Sequence, residues 1–322
     1  MKIAFFEIEK WEEDYIKNKL KNHKLIFLYD ELNERNVNKI KDCEAICVFI
    51  YSKISRNILD NLPNLKVICT MSTGFDHIDL ADCRKRNIKV YNVPYYGENT
   101  VAEHTFALIL ALSRKIVDSV GRVKKDDFNL KGLRGFDLKA KTIGVIGPGH
   151  IGQHVIRMAN GFEMKVIACA HKKEPKIAKE LGFKYVSLEY LLKNSDIITI
   201  HCPLNKETTH LINMKNIKLI KKGSYLINTA RGGIVETKAL VYALNNHILS
   251  GAGLDVLEGE CYIKEEKQLL NKKFIQEYDL KTFIENHILL KEKNVIVTPH
   301  NAFNSNEALL RIVDTTIENI NL

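Results

Sequence analysis

The 322-residue chain contains no uninterrupted apolar run of about 18 residues, so no membrane-spanning helix is expected. It opens MKIAFFEIEKWEEDY, which turns acidic after six residues and lacks the apolar stretch and small-residue cleavage site of a secretory signal. Among the seven cysteines there is no CxxC pair. Cys47, Cys69 and Cys169 sit inside apolar segments (AICVFI, VICT, VIAC). An odd number of thiols so placed reads as buried free cysteine in a reducing compartment, not as disulfides or a zinc site. The expected location is the cytoplasm. No RNP-like motif, zinc-finger spacing or long basic block accompanies the net charge of +9. The lysines are interleaved with acids, as in KEEKQ and KKDD. The excess therefore reads as a solvated surface, and neither a nucleic-acid nor a membrane partner is expected. Low-complexity segments are absent, as are internal repeats beyond a likeness between the two αβ halves.

What is present is a rhythm of β-branched runs and helical patterns. The length suits two domains, since single cores stop growing near ~250–300 residues. Strands are expected at 2–6, 45–50, 66–70 and 88–91, with helical segments between. A second series is expected at 142–146, 165–169, 196–200, 224–228, 251–255 and 294–298. Alternation of this kind predicts parallel sheets with helices on both faces. Between the two series, residues 98–123 read as one long helix with an apolar face of Val101, Phe106, Leu108, Leu112, Ile116 and Val120. Asn99 or Thr100 is its expected cap, with Glu103 completing a capping box. Its middle is apolar all round, so it is expected to be buried in the chain or against a second subunit. Pro94 and Pro299 mark the expected crossings. The expected division is 1–98 plus 301–322 as one discontinuous domain and 99–300 as the other.

Gly147, Gly149 and Gly152 form GPGHIG directly after an expected strand and at a helix start. Such a turn holds a dinucleotide pyrophosphate: the first glycine allows the tight turn, the second a close backbone approach, the third close helix–strand packing. The helix N-terminus supplies free N–H groups and a positive dipole end. An acid that would grip the adenosine ribose is expected about 20 residues on. The chain offers Ala170, then His171, Lys172 and Lys173. The lysines suit the 2′-phosphate of NADP; pointing to solvent, they leave NAD held with a weaker ribose contact. Both cofactors stay open. His150 and His154 have an i, i+4 metal spacing, but residue 150 lies inside the turn and no HExxH accompanies it, so no metal is expected.

Three later stretches each follow an expected strand: INTARGGIVE, GLDVLEGE and VTPHNAF. In a parallel sheet, ligands sit outside the carboxyl ends of the strands. Reduction of a 2-keto acid by a nicotinamide needs few protein groups. A planar cation clamps the carboxylate, an acid protonates the carbonyl oxygen, and a carboxylate orients that acid. Arg231, His300 and Glu260 fit these roles.

In this order and spacing, GPGHIG, HCPLNKET, INTARGG, GLDVLEGE and TPHNA resemble the D-isomer-specific 2-hydroxyacid dehydrogenase family. MSTGFDHIDL and NVPYYGENTVAEHTFALILAL extend the resemblance over nearly the whole chain. It implies two Rossmann-like parallel-sheet domains, one a split substrate domain, with a cleft between them. It implies that Arg231 binds the substrate carboxylate, that His300 is the acid/base and that Glu260 pairs with it. Backbone N–H groups around Thr73 and Gly74 add bonds to the carboxylate, and Tyr96 borders the substrate. Beside Gly147, Gly149, His150, Ile151 and Gly152, the cofactor is expected to meet Ala170, His171 and Lys172. It is also expected to meet His201, Cys202 and Pro203, then Thr229, Ala230 and Asp255 near the nicotinamide. The helix from 98 is expected to pack in a homodimer. His77 and His104 are expected in structural or cleft-edge roles.

The chain departs from the family pattern at Ala170, where Asp is usual, and at Cys261, where Pro commonly follows the glutamate. The longer segment 261–293 resembles the D-lactate dehydrogenase branch, which favours pyruvate and D-lactate. Glyoxylate or hydroxypyruvate reduction is the alternative within the family. A dinucleotide-sensing corepressor-like protein is the alternative outside catalysis.

Overall fold

The computed structural model describes residues 1–259 and 280–321. The chain divides into two compact units, residues 1–96 with 304–322, and residues 97–303.

The first unit carries five strands: β1 (Lys2–Phe6), β2 (Lys24–Leu28), β3 (Ala45–Val48), β4 (Val67–Thr70) and β5 (Lys89–Tyr91). They form one parallel sheet in the order β2-β1-β3-β4-β5. The central strands are apolar on both faces because helices cover both: Ile3, Phe5, Ile46, Val48 and Ile68 are buried. Helices α1 (Lys10–Lys19), α2 (Arg56–Asp60) and α3 (Leu80–Lys85) supply the crossovers. The C-terminal helix Asn306–Ile320 packs on α1 and β4, and Tyr15 donates to Asp314 at 2.8 Å.

Among its described residues the second unit carries seven: β6 (Thr142–Ile146), β7 (Lys165–Cys169), β8 (Lys184–Tyr185), β9 (Ile197–Ile200), β10 (Ser224–Asn228), β11 (Leu249–Leu254) and β12 (Val295–Val297). Their order is β12-β11-β10-β9-β6-β7-β8, again parallel. Its helices are α4 (Glu98–Ser113), α5 (Ile116–Val123), α6 (His150–Gly161), α7 (Pro175–Leu181), α8 (Leu188–Asn194), α9 (Thr237–Asn245) and the later helix Leu280–Lys291. One core joins α4 and α6 to Ile143, Val145 and Ile197; a second joins α8 and α9 to Ile146, Ile198 and Ile200. Neighbouring strand residues thus feed opposite faces, as the pleat requires.

Three expectations need correction. The helix expected over 98–123 is two helices. Phe136 N–H takes the Ser113 carbonyl at 2.9 Å, and Lys115 adopts a left-handed φ of 54°, so α4 ends there and α5 restarts in a new direction. A Cβ on Gly135 would lie 2.0 Å from the Ser113 oxygen, so only glycine lets the returning chain come this close. The cap is Gly97, not Asn99 or Thr100; Thr100 is buried within the helix and Asn99 bonds Glu103 instead. Finally, KLIFL at 24–28 is a strand in a stretch expected to be helical.

Candidate active site

The glycine turn joins β6 to α6, and its first and third glycines are fixed by the protein itself. Gly147 has φ +86°, and a Cβ there would lie 2.8 Å from the Cys202 nitrogen. A Cβ on Gly152 would lie 2.4 Å from the Gly147 carbonyl. Gly149 differs: a Cβ there meets nothing within 4 Å. Its open side lies at the N-cap of α6, where the first helical bond is Gln153 to Gly149. The N–H groups of His150, Ile151 and Gly152 therefore precede any helical acceptor. An open glycine at a helix N-terminus fits a dinucleotide pyrophosphate. The His150 and His154 side chains both lean on Glu98, at 3.3 and 3.9 Å.

At the end of β7, Ala170 is half-buried and His171, Lys172 and Lys173 are exposed. Burial raises the Cys169 thiol, with Lys173 opposing, and burial pushes Cys202 up to about 11. Both stay protonated near neutral pH and act as apolar wall. Burial lowers His201 to about 3, so its ring is neutral, held by Thr199 Oγ1 at 2.8 Å. Pro203 is exposed, and its carbonyl accepts from Thr208 at 2.6 Å.

Beyond β10, β11 and β12 lie the three stretches expected to carry chemistry. Thr229 is buried and bonds Thr105 Oγ1 at 2.9 Å; because Thr105 donates to the Val101 carbonyl, Thr229 is the donor. Ala230 N–H bonds Asn228 Oδ1 at 3.0 Å, while Asn228 Nδ2 donates to the Arg231 carbonyl at 2.9 Å. Arg231 is thereby held in extended backbone, its guanidinium half-buried and donating to the Ala230 carbonyl at 2.9 Å. A Cβ on Gly232 would lie 2.1 Å from Leu257, so the Arg231 turn packs directly on the loop after β11. In that loop Glu258 pairs with His210 and accepts from the Thr237 N–H and hydroxyl at 3.1 and 2.8 Å. Glu260 lies outside the described residues, as do Cys261 and most of 261–293.

Asp255 holds the last piece. It is 1% exposed, and its carboxylate accepts from the Thr298 hydroxyl, from Asn301 N–H at 3.0 Å and from Ala302 N–H at 2.8 Å. His104 Nε2 lies 3.1 Å from Thr298 Oγ1 and 3.5 Å from Asp255. Since the Thr298 proton goes to Asp255, His104 donates to Thr298. This cage closes a loop with His300 at its apex, in a left-handed φ of 54°. The resemblance places Asp255 beside the nicotinamide; its oxygens are committed to the loop that carries His300. Sequence reading missed this because the partners stand more than forty positions away.

In the first unit, Thr73 and Gly74 follow β4 at the carboxyl edge of that sheet. The carbonyls of Ser72, Thr73 and Gly74 accept from Val93 N–H at 3.1 Å, Asn92 Nδ2 at 2.8 Å and Ser72 Oγ at 2.7 Å. The N–H groups on the same three peptides, those of Thr73, Gly74 and Phe75, make no hydrogen bond among the described residues. Successive unpaired N–H groups on a turn form an anion site. Phe75 was not foreseen. Tyr96 is half-buried, its carbonyl accepting from Arg311 Nε at 2.6 Å. On the same edge, Glu7 takes N–H bonds from Phe49, Tyr51 and Ser52 at 3.0, 2.8 and 3.2 Å, tying the loop after β3 to the end of β1.

A family model described as D-isomer-specific 2-hydroxyacid dehydrogenase, NAD-binding domain, matches residues 106–302. The solved D-lactate dehydrogenase of Aquifex aeolicus, complexed with NAD and lactic acid, superposes with a TM-score of 0.87 at 38% identity, covering 99% of this chain and 94% of that one. The D-lactate dehydrogenase of Escherichia coli is 33% identical over 99% of this chain and 95% of its own. A glyoxylate reductase of Thermococcus litoralis is 36% identical over 88% of this chain and 81% of its own. Similarity of this extent, carried by a fold whose strand ends present the expected arginine and histidine, makes the chain an oxidoreductase of the D-isomer-specific 2-hydroxyacid dehydrogenase family.

Proposed function

We propose that the protein reduces pyruvate to D-lactate. The observation that carries this reading is the Asp255 cage, which fixes His300 at the end of β12, two strands from the Arg231 turn on β10. Bound NADH supplies the hydride. Arg231 grips the substrate carboxylate with its planar fork, and backbone N–H groups around Thr73 and Gly74 add bonds to it. His300 gives a proton to the carbonyl oxygen as the hydride reaches the carbonyl carbon, and Glu260 pairs with His300. Tyr96 borders the substrate. Likeness to an enzyme solved with lactic acid supports pyruvate, and likeness to a glyoxylate reductase supports glyoxylate as the second reading. Free buried cysteines suit work in a reducing cytoplasm.

The test is an absorbance assay at 340 nm with NADH and NADPH, each against pyruvate, glyoxylate and hydroxypyruvate. Pyruvate with NADH gives the highest kcat/KM. NADPH is also accepted, because no carboxylate at 170 repels its 2′-phosphate and Lys172 and Lys173 are exposed beside it. Replacing both lysines by alanine lowers kcat/KM with NADPH by about tenfold or more, as expected for losing a charge-assisted contact, and leaves NADH within about twofold. Wild-type protein inert with NADPH contradicts the selectivity reading. Glyoxylate preferred over pyruvate overturns the substrate.

We also propose that the chain forms a homodimer through the helical stretch expected from residue 98, at its second part, α5. Ile116, Val117, Val120 and Val123 are 49, 57, 48 and 46% exposed, and Phe128 and Leu130 just beyond are 75 and 80% exposed. Contiguous exposed apolar surface of this kind marks an interface. Light scattering gives a dimer for the wild type and a monomer for Val117→Glu with Val120→Glu; a wild-type monomer at micromolar concentration refutes it.

A further inference from the structure

The turn at 72–75 is built so that its carbonyls all face protein donors. In a trans peptide the carbonyl and the N–H point opposite ways. Each of the carbonyls of Ser72, Thr73 and Gly74 is held by a protein donor, so the N–H on the same peptide, that of Thr73, Gly74 or Phe75, points away from that donor. A carbonyl that accepts a hydrogen bond also polarises its own peptide, which makes the attached N–H a stronger donor. Two of the three carbonyl partners are side chains: Asn92 Nδ2 on Thr73 at 2.8 Å and Ser72 Oγ on Gly74 at 2.7 Å.

Behind Ser72 runs a short relay. Ser72 Oγ lies 2.7 Å from Thr70 Oγ1, and Thr70 Oγ1 lies 3.2 Å from His77 Nε2. Its direction is forced. The Gly74 carbonyl can only accept, so the single Ser72 proton goes there. Thr70 must then donate to Ser72, and His77 must carry a hydrogen on Nε2 and donate it to Thr70. Thr70 and Ser72 are 0 and 2% exposed, so each hydroxyl depends on this chain of partners. The His77 main chain is pinned as well, its carbonyl accepting from Ile54 N–H at 2.9 Å.

We propose that Asn92 and the relay Ser72–Thr70–His77 are positioning residues for the substrate carboxylate: they aim and polarise the Gly74 and Phe75 N–H groups that receive it. The inference rests on the reading that this turn takes the carboxylate. His77 acts through two hydroxyls and a peptide.

The experiment uses full-length protein saturated with NADH and oxamate, an unreactive isostere of pyruvate. The wild-type 15N–1H signals of Gly74 and Phe75 move when oxamate is added. If they do not, the carboxylate binds elsewhere and the underlying reading fails with the proposal. If they do, Ser72→Ala and Asn92→Ala raise the oxamate Kd and the pyruvate KM by about tenfold, with kcat within about threefold and NADH affinity unchanged. His77→Gln, which keeps a donor at the Nε2 position, retains wild-type KM, and His77→Phe behaves like Ser72→Ala. Shifting wild-type signals combined with unchanged KM and Kd in both Ser72→Ala and Asn92→Ala overturn the proposal and leave the reading standing. A proportional fall of kcat, NADH affinity and thermal stability together in all variants also overturns it, because that is loss of fold. Asn92, whose side chain is not buried, keeps the test usable if Ser72→Ala folds poorly.

Discussion

Replacing Arg231 by glutamine lowers kcat/KM for pyruvate by about 1,000-fold. Removing one partner of a desolvated, hydrogen-bonded charge pair costs ~2–5 kcal/mol, and each ~1.36 kcal/mol is a factor of ten. Lysine recovers only part of the loss, since a point charge lacks the fork that matches a carboxylate. The Arg231 backbone is held by Asn228 and by close packing of Gly232 on Leu257, so the effect is local to the side chain. His300→Gln separates binding from chemistry. It keeps a polar side chain but no transferable proton, and kcat falls by ~10²–10⁴. NADH affinity, read from nucleotide fluorescence, stays within about twofold in both variants. An Arg231→Gln enzyme with wild-type KM and kcat removes Arg231 from the site.

Asp255→Asn costs nearly as much as Asp255→Ala, although asparagine has almost the same shape. Among the described residues this carboxylate accepts from the Thr298 hydroxyl, Asn301 N–H and Ala302 N–H, and through Thr298 it is linked to His104. An amide places its NH₂ against one of these donors. Each buried donor left unpaired costs ~1–3 kcal/mol. Two such losses, ~2–6 kcal/mol together, lower Tm by roughly 4–24 °C at ~2–4 °C per kcal/mol. The His300 backbone sits in a left-handed conformation that only its surroundings maintain, so freeing the loop displaces the acid. We expect kcat to fall by at least about tenfold, since small misplacements of a reacting group are costly. Thermal unfolding and single-turnover hydride transfer measure the two effects. An Asp255→Asn protein with wild-type Tm and kcat contradicts the cage.

The strands were legible in the sequence because buried parallel strands are continuous β-branched runs: TIGVI, KVIAC and SYLIN lie within the residues expected. Two short or edge elements were not. Lys184–Tyr185 is too brief to show a pattern, and KLIFL sits beside lysines that mask its apolar run. The break in the helix after Ser113 was hidden because its cause is Phe136, more than twenty residues away. The place of the glycine turn between β6 and α6, and the tight packing at Gly147 and Gly152, were legible, since that motif is local. The commitments of Asp255, the Glu258–His210 pair and the covering of the 72–75 carbonyls by Asn92 and Val93 were not. Each depends on residues brought together only by strand order, and no local spacing records them.

In the proposed function, hydride and proton reach a 2-keto acid from fixed sides. The measurement that tests this most directly is chiral analysis of the product formed from pyruvate with NADH, alongside the NADH consumed. The account predicts D-lactate alone, one for each NADH oxidised. L-lactate, a racemate, or no oxidation of NADH would contradict it.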